Sequence, residues 1–372
     1  MSSTTARADD VIARLLPEVS AFIDRQLDDY PDACGPLRIT VRTVIDQGRH
    51  ERNETALPLL THAAITGVPE PAVPVAAAHA LWWRAANAFD DIADGDAGPA
   101  MYGIGTGPAL MAALECGHGL PLRALAALDL PAALRERLVS DYLDGWTLTN
   151  DGQIRDLFNT AATADPQAVL TTYEHKSGSA YAMACGMTAR IAGCDDAAVD
   201  AWRTFGHAVG TLLQFRNDEE ELRDEREEDI RNGTATYRLV CALRQLSGEE
   251  RQRALRLVRE AADSPDGRAE IRAMLLDPAV QAATLAVRDG LLRRAHDLLD
   301  RLAVPSEFTT ALRSLVDTAA ARATPADRAD TAADPGTDVP SPDTSFPDTS
   351  SARAASGRQS VLTAGHAEFR AN

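Results

Sequence analysis

From Pro74 to Phe89 the chain is rich in Ala, Leu and Trp, and it runs without a break into Asp90-Asp91-Ile92-Ala93-Asp94-Gly95-Asp96. The apolar part reads as a buried helix whose side chains face other protein. Such a helix needs further helices around it, because no stretch of useful length alternates polar and apolar residues as a half-buried strand does. Its last turn is acidic. Asp90 and Asp94 lie four apart on one helix face, with Asp91 about 100° round. They sit where backbone carbonyls already concentrate negative charge. No Lys or Arg occurs between Ala85 and Leu122 to offset them. Mg2+ suits such a site, since it takes one or two carboxylates and leaves its other positions to water and phosphate. A solvated acidic loop ended by Gly95 and Gly98 accounts for this stretch equally well.

A second apolar helix, Trp202 to Leu213, runs into Gln214-Phe215-Arg216-Asn217-Asp218-Glu219-Glu220-Glu221. Asn217, Glu221 and Glu225 recur at i, i+4 and i+8, one stripe of one helix, with Asp218 beside it. A solvated face with Glu/Arg pairs accounts for Glu219, Glu220, Glu227 and Glu228, given Arg216, Arg223 and Arg226. It does not account for Asn217. Two acidic ends on two apolar helices fit several metal ions gathered around a diphosphate.

With Gly152-Gln153 and Lys176-Ser177-Gly178 between the two motifs, and Asp229 to Thr236 after them, residues 10 to 322 resemble the trans-polyprenyl diphosphate synthase family. The resemblance implies an all-α, isoprenoid synthase-type helical bundle around a deep central cavity, and a homodimer. It implies Mg2+, three ions, held by Asp90, Asp91 and Asp94 on one wall and Asn217, Asp218, Glu221 and Glu225 on the other. Lys176, Gln214, Arg49, Arg52 and Arg231 would hold the diphosphate of an isoprenoid substrate. Trp82, Ala86, Phe89 and Tyr181 would line the cavity for its hydrocarbon.

Several positions depart from the family pattern. Gly48-Arg49-His50-Glu51-Arg52-Asn53 lacks the Lys of the segment that grips the second substrate; Pro99-Ala100 stands for an Arg pair, Trp83 for a polar residue, and Thr234 and Glu225 for lysines. Fewer cations weaken a pocket for two diphosphates. Asn217, Glu221 and Glu225 match the spacing of the Asn/Ser/Glu metal triad of class I terpene cyclases. The expectation is therefore a Mg2+-dependent terpene synthase that ionises one linear C15–C25 allylic diphosphate to a cyclic product. The alternatives are a chain-elongating synthase that condenses isopentenyl diphosphate with an allylic diphosphate, and an inactive regulatory subunit of such a synthase.

The remaining features set the frame. With 372 residues, 45% of them hydrophobic, the chain supports one large helical domain. A net charge of −18 with no basic patch excludes a nucleic-acid partner. No apolar run reaches about 18 residues and Met1 to Asp10 is polar, which points to no membrane span and a cytoplasmic protein. Five cysteines without CxxC spacing read as packing residues. Residues 1–10 read as a disordered terminus, 11–322 as the helical domain, and Arg223 to Asn232 as a mobile lid. Residues 323–372, where Pro342-Asp343-Thr344-Ser345 recurs as Pro347-Asp348-Thr349-Ser350, read as a disordered low-complexity tail.

Overall fold

The computed structural model describes residues 3–47, 52–93, 103–223 and 227–321. Among them every regular element is helical, as the sequence requires. The first four α-helices are α1 (Ser3–Asp28), α2 (Gly35–Gln47), α3 (Arg52–Thr66) and α4 (Val73–Ala93). Helix α1 begins eight residues before the expected start at residue 11. Ala8, fully buried, heads the apolar line Ile12, Leu15, Val19, Ile23 and Leu27, so residues 3–10 continue the helix rather than forming a disordered terminus. A single small alanine carries little sequence signal for that extension. Helix α4 lies against α1 and α3, and its Ala76, Ala77, Ala78, Ala85 and Ala88 are wholly buried.

Helices α5 (Thr106–Leu114) and α6 (Leu120–Ala126) are joined by a π-helical turn, Glu115–Gly119, and α7 (Ala132–Phe158) comes next. Gly103-Ile104-Gly105 is the connection into α5, with both glycines at positive φ. A second π turn, Glu174–Gly178, joins α8 (Pro166–Tyr173) to α9 (Ser179–Ile191) in one continuous rod. Asp165 opens that rod by accepting the amide of Ala168 at 2.8 Å, a side-chain N-cap. Helix α10 (Asp196–Glu221) packs along α9. The approach requires glycine: a Cβ on Gly206 would stand 2.2 Å from the carbonyl oxygen of Tyr181.

After α10 come α11 (Glu228–Asn232), α12 (Tyr237–Gln245), α13 (Gly248–Glu260), α14 (Pro265–Leu275), α15 (Pro278–Leu302) and α16 (Glu307–Ala320). The main core joins α1, α3, α4, α9, α10 and α16; a second joins α8, α12, α13 and α14 with Phe215 of α10 and Leu222 just past its end. The C-terminal half of α10, which carries the second acidic motif, therefore sits where the two cores meet. Residues 227–232 do not hang free as a lid. Glu227 pairs with Arg268 at 2.8 Å and Arg272 at 2.7 Å on α14, which ties the start of α11 down.

Candidate active site

Asp90, in the last turn of α4, is bound from two elements. Lys176 in the second π turn places Nζ 3.1 and 3.4 Å from its carboxylate oxygens, and Gln153 Nε2 of α7 donates to Oδ1 at 2.7 Å. The same Lys176 donates to Asp156 Oδ2 at 2.8 Å, one turn beyond Gln153 on α7. The π turn and α7 touch through Gly152, where a Cβ would lie 2.2 Å from the backbone nitrogen of Lys176. Burial alone pulls the Lys176 pKa down, but Asp90 and Asp156 outweigh it and hold the ammonium above its ordinary range.

Ser177, the next residue, reaches the opposite wall. Its hydroxyl donates to Gln214 Oε1 at 2.6 Å, and Gln214 Nε2 donates to Asp218 Oδ1 at 3.3 Å. Tyr173 donates its hydroxyl to the other oxygen of Asp218 and accepts the Tyr237 amide at 2.9 Å. Burial pushes the Asp218 pKa up; Tyr173, Gln214 and Arg238 oppose this, and the charge of Asp156 adds to it. Asp229, in α11, is also pushed up, first by burial and then by Asp218, Glu221 and Asp156. Asp156, Asp218, Glu221 and Asp229 are thus one mutually repelling set, and the π turn with Lys176 and Ser177 joins it to Asp90.

The expected site residues divide accordingly. Asp90, Lys176, Gln214, Asp218 and Glu221 meet in this arrangement. Asp91 and Asn217 are exposed, as is Arg231 on α11. Arg49, Asp94, Glu225 and the side chain of Arg52 lie outside the described residues. The inward line of α10 is Gln214, Asp218 and Glu221, at i, i+4 and i+7, rather than the stripe headed by Asn217. Gln214 joins Ser177 to Asp218.

Beneath Asp90 on α4, Ala86, Trp83 and His79 continue its line, Trp83 within about 20° of it and Trp82 about 80° away. Trp83 Nε1 donates to His79 Nε2 at 3.1 Å, and its ring meets that of Tyr181 at 5.6 Å. Trp82, expected on this line, packs behind it against Trp83 at 4.7 Å. Phe89 faces Trp146 of α7 at 6.4 Å. Asp156 was not singled out from the sequence as a site residue. The Gly152-Gln153-Ile154-Arg155-Asp156 spacing, with Gln153 and Asp156 on one helix face, carried that signal for Asp156.

The donor set fits divalent metal. Oxygen donors that repel one another and resist ionisation are relieved by a hard cation. Among the described residues no three His, Cys, Asp or Glu side chains close on a single point. A set divided between helix ends suits ions that take further oxygens from water and a diphosphate.

Comparison with known proteins agrees with this geometry. Residues 111–275 match the polyprenyl synthetase family model. Geranylgeranyl pyrophosphate synthetase from Pyrococcus horikoshii Ot3 superposes with a TM-score of 0.72 at 19% identity, covering 85% of this chain and 100% of that one. A decaprenyl diphosphate synthase from Rhodobacter capsulatus gives 0.72 at 15%, covering 85% and 98%. Geranylgeranyl pyrophosphate synthase from Corynebacterium glutamicum, complexed with calcium and isoprenyl diphosphate, gives 0.69 at 21%, covering 85% and 96%. No curated protein sequence matches the chain.

The fold is that of the isoprenoid synthases. Residues 111–275 are similar to the polyprenyl synthetase family, within a fold shared with prenyl diphosphate synthases. The terpene cyclase expectation is corrected by the same findings, which are polyprenyl synthetase and chain-elongating synthases throughout. Its structural support fails as well, because Asn217, the head of the cyclase-like triad, is exposed while the Asp218 line faces inward.

Proposed function

We propose that this chain is a divalent-metal-dependent, chain-elongating prenyl diphosphate synthase, condensing isopentenyl diphosphate with an allylic diphosphate. The observation that carries the reading is Lys176, which stands between Asp90 and Asp156 while its neighbour Ser177 leads through Gln214 to Asp218. One cation is thus set between carboxylates of α4 and α7, and its neighbour links it to the acid of α10.

In this reading Mg2+, when bound, stabilises the departing diphosphate as a Lewis acid. Asp90, Asp218 and Glu221 supply oxygens for it. Lys176 Nζ, kept protonated by its two carboxylates, neutralises charge growing on the leaving oxygens. Tyr173 and Gln214 hold the Asp218 carboxylate in one orientation. Trp83, His79 and Tyr181 form an aromatic floor beneath Asp90 that limits how far a hydrocarbon chain extends and keeps water from an allylic cation. The protein works as a homodimer in the cytoplasm; among the described residues no helix is long and apolar enough to cross a membrane.

The test is a panel of single allylic diphosphates, each with Mg2+ and with or without isopentenyl diphosphate, read by mass spectrometry. A longer linear diphosphate formed only with both substrates is expected. A cyclic hydrocarbon from one diphosphate alone overturns the reading. No turnover alone, with altered product length when an active synthase is added, overturns it in favour of a regulatory subunit.

A further inference from the structure

Glu219 comes directly after Asp218 on α10 but turns about 100° away from it, into the protein. The sequence reads Glu219 as part of a solvated face, yet it is only 5% exposed. Its carboxylate receives three guanidinium groups: Arg223 at 2.8 Å one turn on, Arg238 from the first turn of α12, and Arg288 of α15 at 3.5 Å. Arg238 and Arg288 are themselves buried, and Arg288 also donates to the carbonyls of Ala320 and Ala321, at 2.6 and 2.8 Å, where α16 ends.

This cluster is held against the site. Tyr237, whose amide donates to Tyr173 and so supports Asp218, immediately precedes Arg238. The start of α12 therefore holds two successive acids of α10, one on each side. Arg238 thus follows directly the residue that is linked through Tyr173 to Asp218. A buried guanidinium deprived of its carboxylate is strongly disfavoured and turns to the next one in reach. The carboxylate tied to the same start of α12, through Tyr173, is Asp218.

We propose that Glu219 is a positioning residue that occupies Arg238 and Arg288, and so leaves the adjacent Asp218 facing the site and available to divalent metal. This rests on the metal-assisted reading above. Without Glu219, Arg238 pairs with Asp218 and withdraws it from the ion. The role is electrostatic screening within the protein, and Glu219 itself touches no substrate.

The test uses the full chain and measures Mn2+ binding by titration calorimetry with inorganic pyrophosphate present, alongside thermal unfolding in chelator. Glu219→Gln is expected to weaken Mn2+ binding roughly 10- to 100-fold, the usual scale for losing a partner of a metal ligand. Adding Arg238→Gln to that variant is expected to return binding close to wild type. Glu220→Gln removes the same charge from the exposed side, where Glu220 pairs with Arg216 at 2.7 Å, and is expected to leave binding unchanged.

A fall in melting temperature with unchanged Mn2+ affinity in Glu219→Gln overturns the proposal. So does a double variant that binds no better than the single one, or an equal loss in Glu220→Gln. Should Glu219→Gln not fold, Arg238→Gln alone decides, because it is expected to bind Mn2+ at least as well as wild type and weaker binding overturns the idea. Wild-type protein that binds no Mn2+ with pyrophosphate overturns this proposal and the metal-assisted reading together, whereas the other outcomes leave that reading standing.

Discussion

The two acidic helix ends differ in setting and in means: the Asp90 side chain is 41% exposed, whereas the Asp218 pKa is pushed up by burial. At the end of α4, Asp90 is compensated by a cation, Lys176, with Gln153 in support. On α10, Asp218 is held by neutral donors, Tyr173 and Gln214, while the arginines nearby are taken up by Glu219. The first arrangement stabilises a charge; the second orients one that burial resists. On the proposed reading, the α10 wall is therefore the one that gains more from a bound metal ion.

The sharpest way to break this comparison is to neutralise each wall in turn. Asp90→Asn and Asp218→Asn are each expected to lower turnover about a thousandfold, the scale of losing several kcal/mol of charge stabilisation in the transition state. Their effects on the metal-free protein should be opposite. At pH 8 in chelator, Asp90→Asn lowers the melting temperature by leaving Lys176 short of a partner, while Asp218→Asn leaves it equal or higher. Shifts of the same sign in both variants would end the distinction.

Lys176→Met is next in size, with turnover expected to fall about a hundredfold, the effect of removing one donor aimed at a developing oxyanion. Binding of pyrophosphate in calorimetry should weaken alongside. Gly152→Ala ranks below it. Its added methyl meets the Lys176 backbone, so unfolding in urea should show a loss of about 1–3 kcal/mol from overpacking, with turnover reduced as Lys176 shifts.

The smallest effect is on pH. Asp218 and Asp229 have folded-state pKa values raised above the ordinary carboxylate range, chiefly by burial. The folded chain therefore binds more protons than the unfolded one above that range, and stability falls as pH rises through it. In chelator the melting temperature should drop from about pH 5 to pH 8. Mg2+ with pyrophosphate should flatten the slope, and a slope that persists unchanged would count against metal at these acids.

Much of the helical order was legible, because long apolar stretches such as Pro74 to Phe89 leave few other choices. Asp90 and Asp218 stood out through the spacing of their acidic motifs, and Lys176 through the resemblance to the family pattern. What failed lay at the scale of one residue's rotation. The α10 line is centred on Asp218 instead of Asn217, and the ring under Asp90 is Trp83 instead of Trp82; both pairs differ by about 100°, which side-chain type alone does not resolve. Glu219 was misread because its partners Arg238 and Arg288 lie far along the chain, and local pattern treats an acid among acids as wet. The cyclase expectation came from counting absent cations in short segments, while the match over residues 111–275 weighs the whole stretch.

The five-residue turn from Glu174 to Gly178 has one more consequence. A π turn accommodates an extra residue within an otherwise regular rod, and each residue gained or lost rotates the downstream helix by about 100°. The lysine's aim is thus a matter of arithmetic as well as chemistry. Removing one position from this turn would leave a smooth rod with every neighbouring side-chain type intact, and would swing the ammonium out of register with the acids it serves.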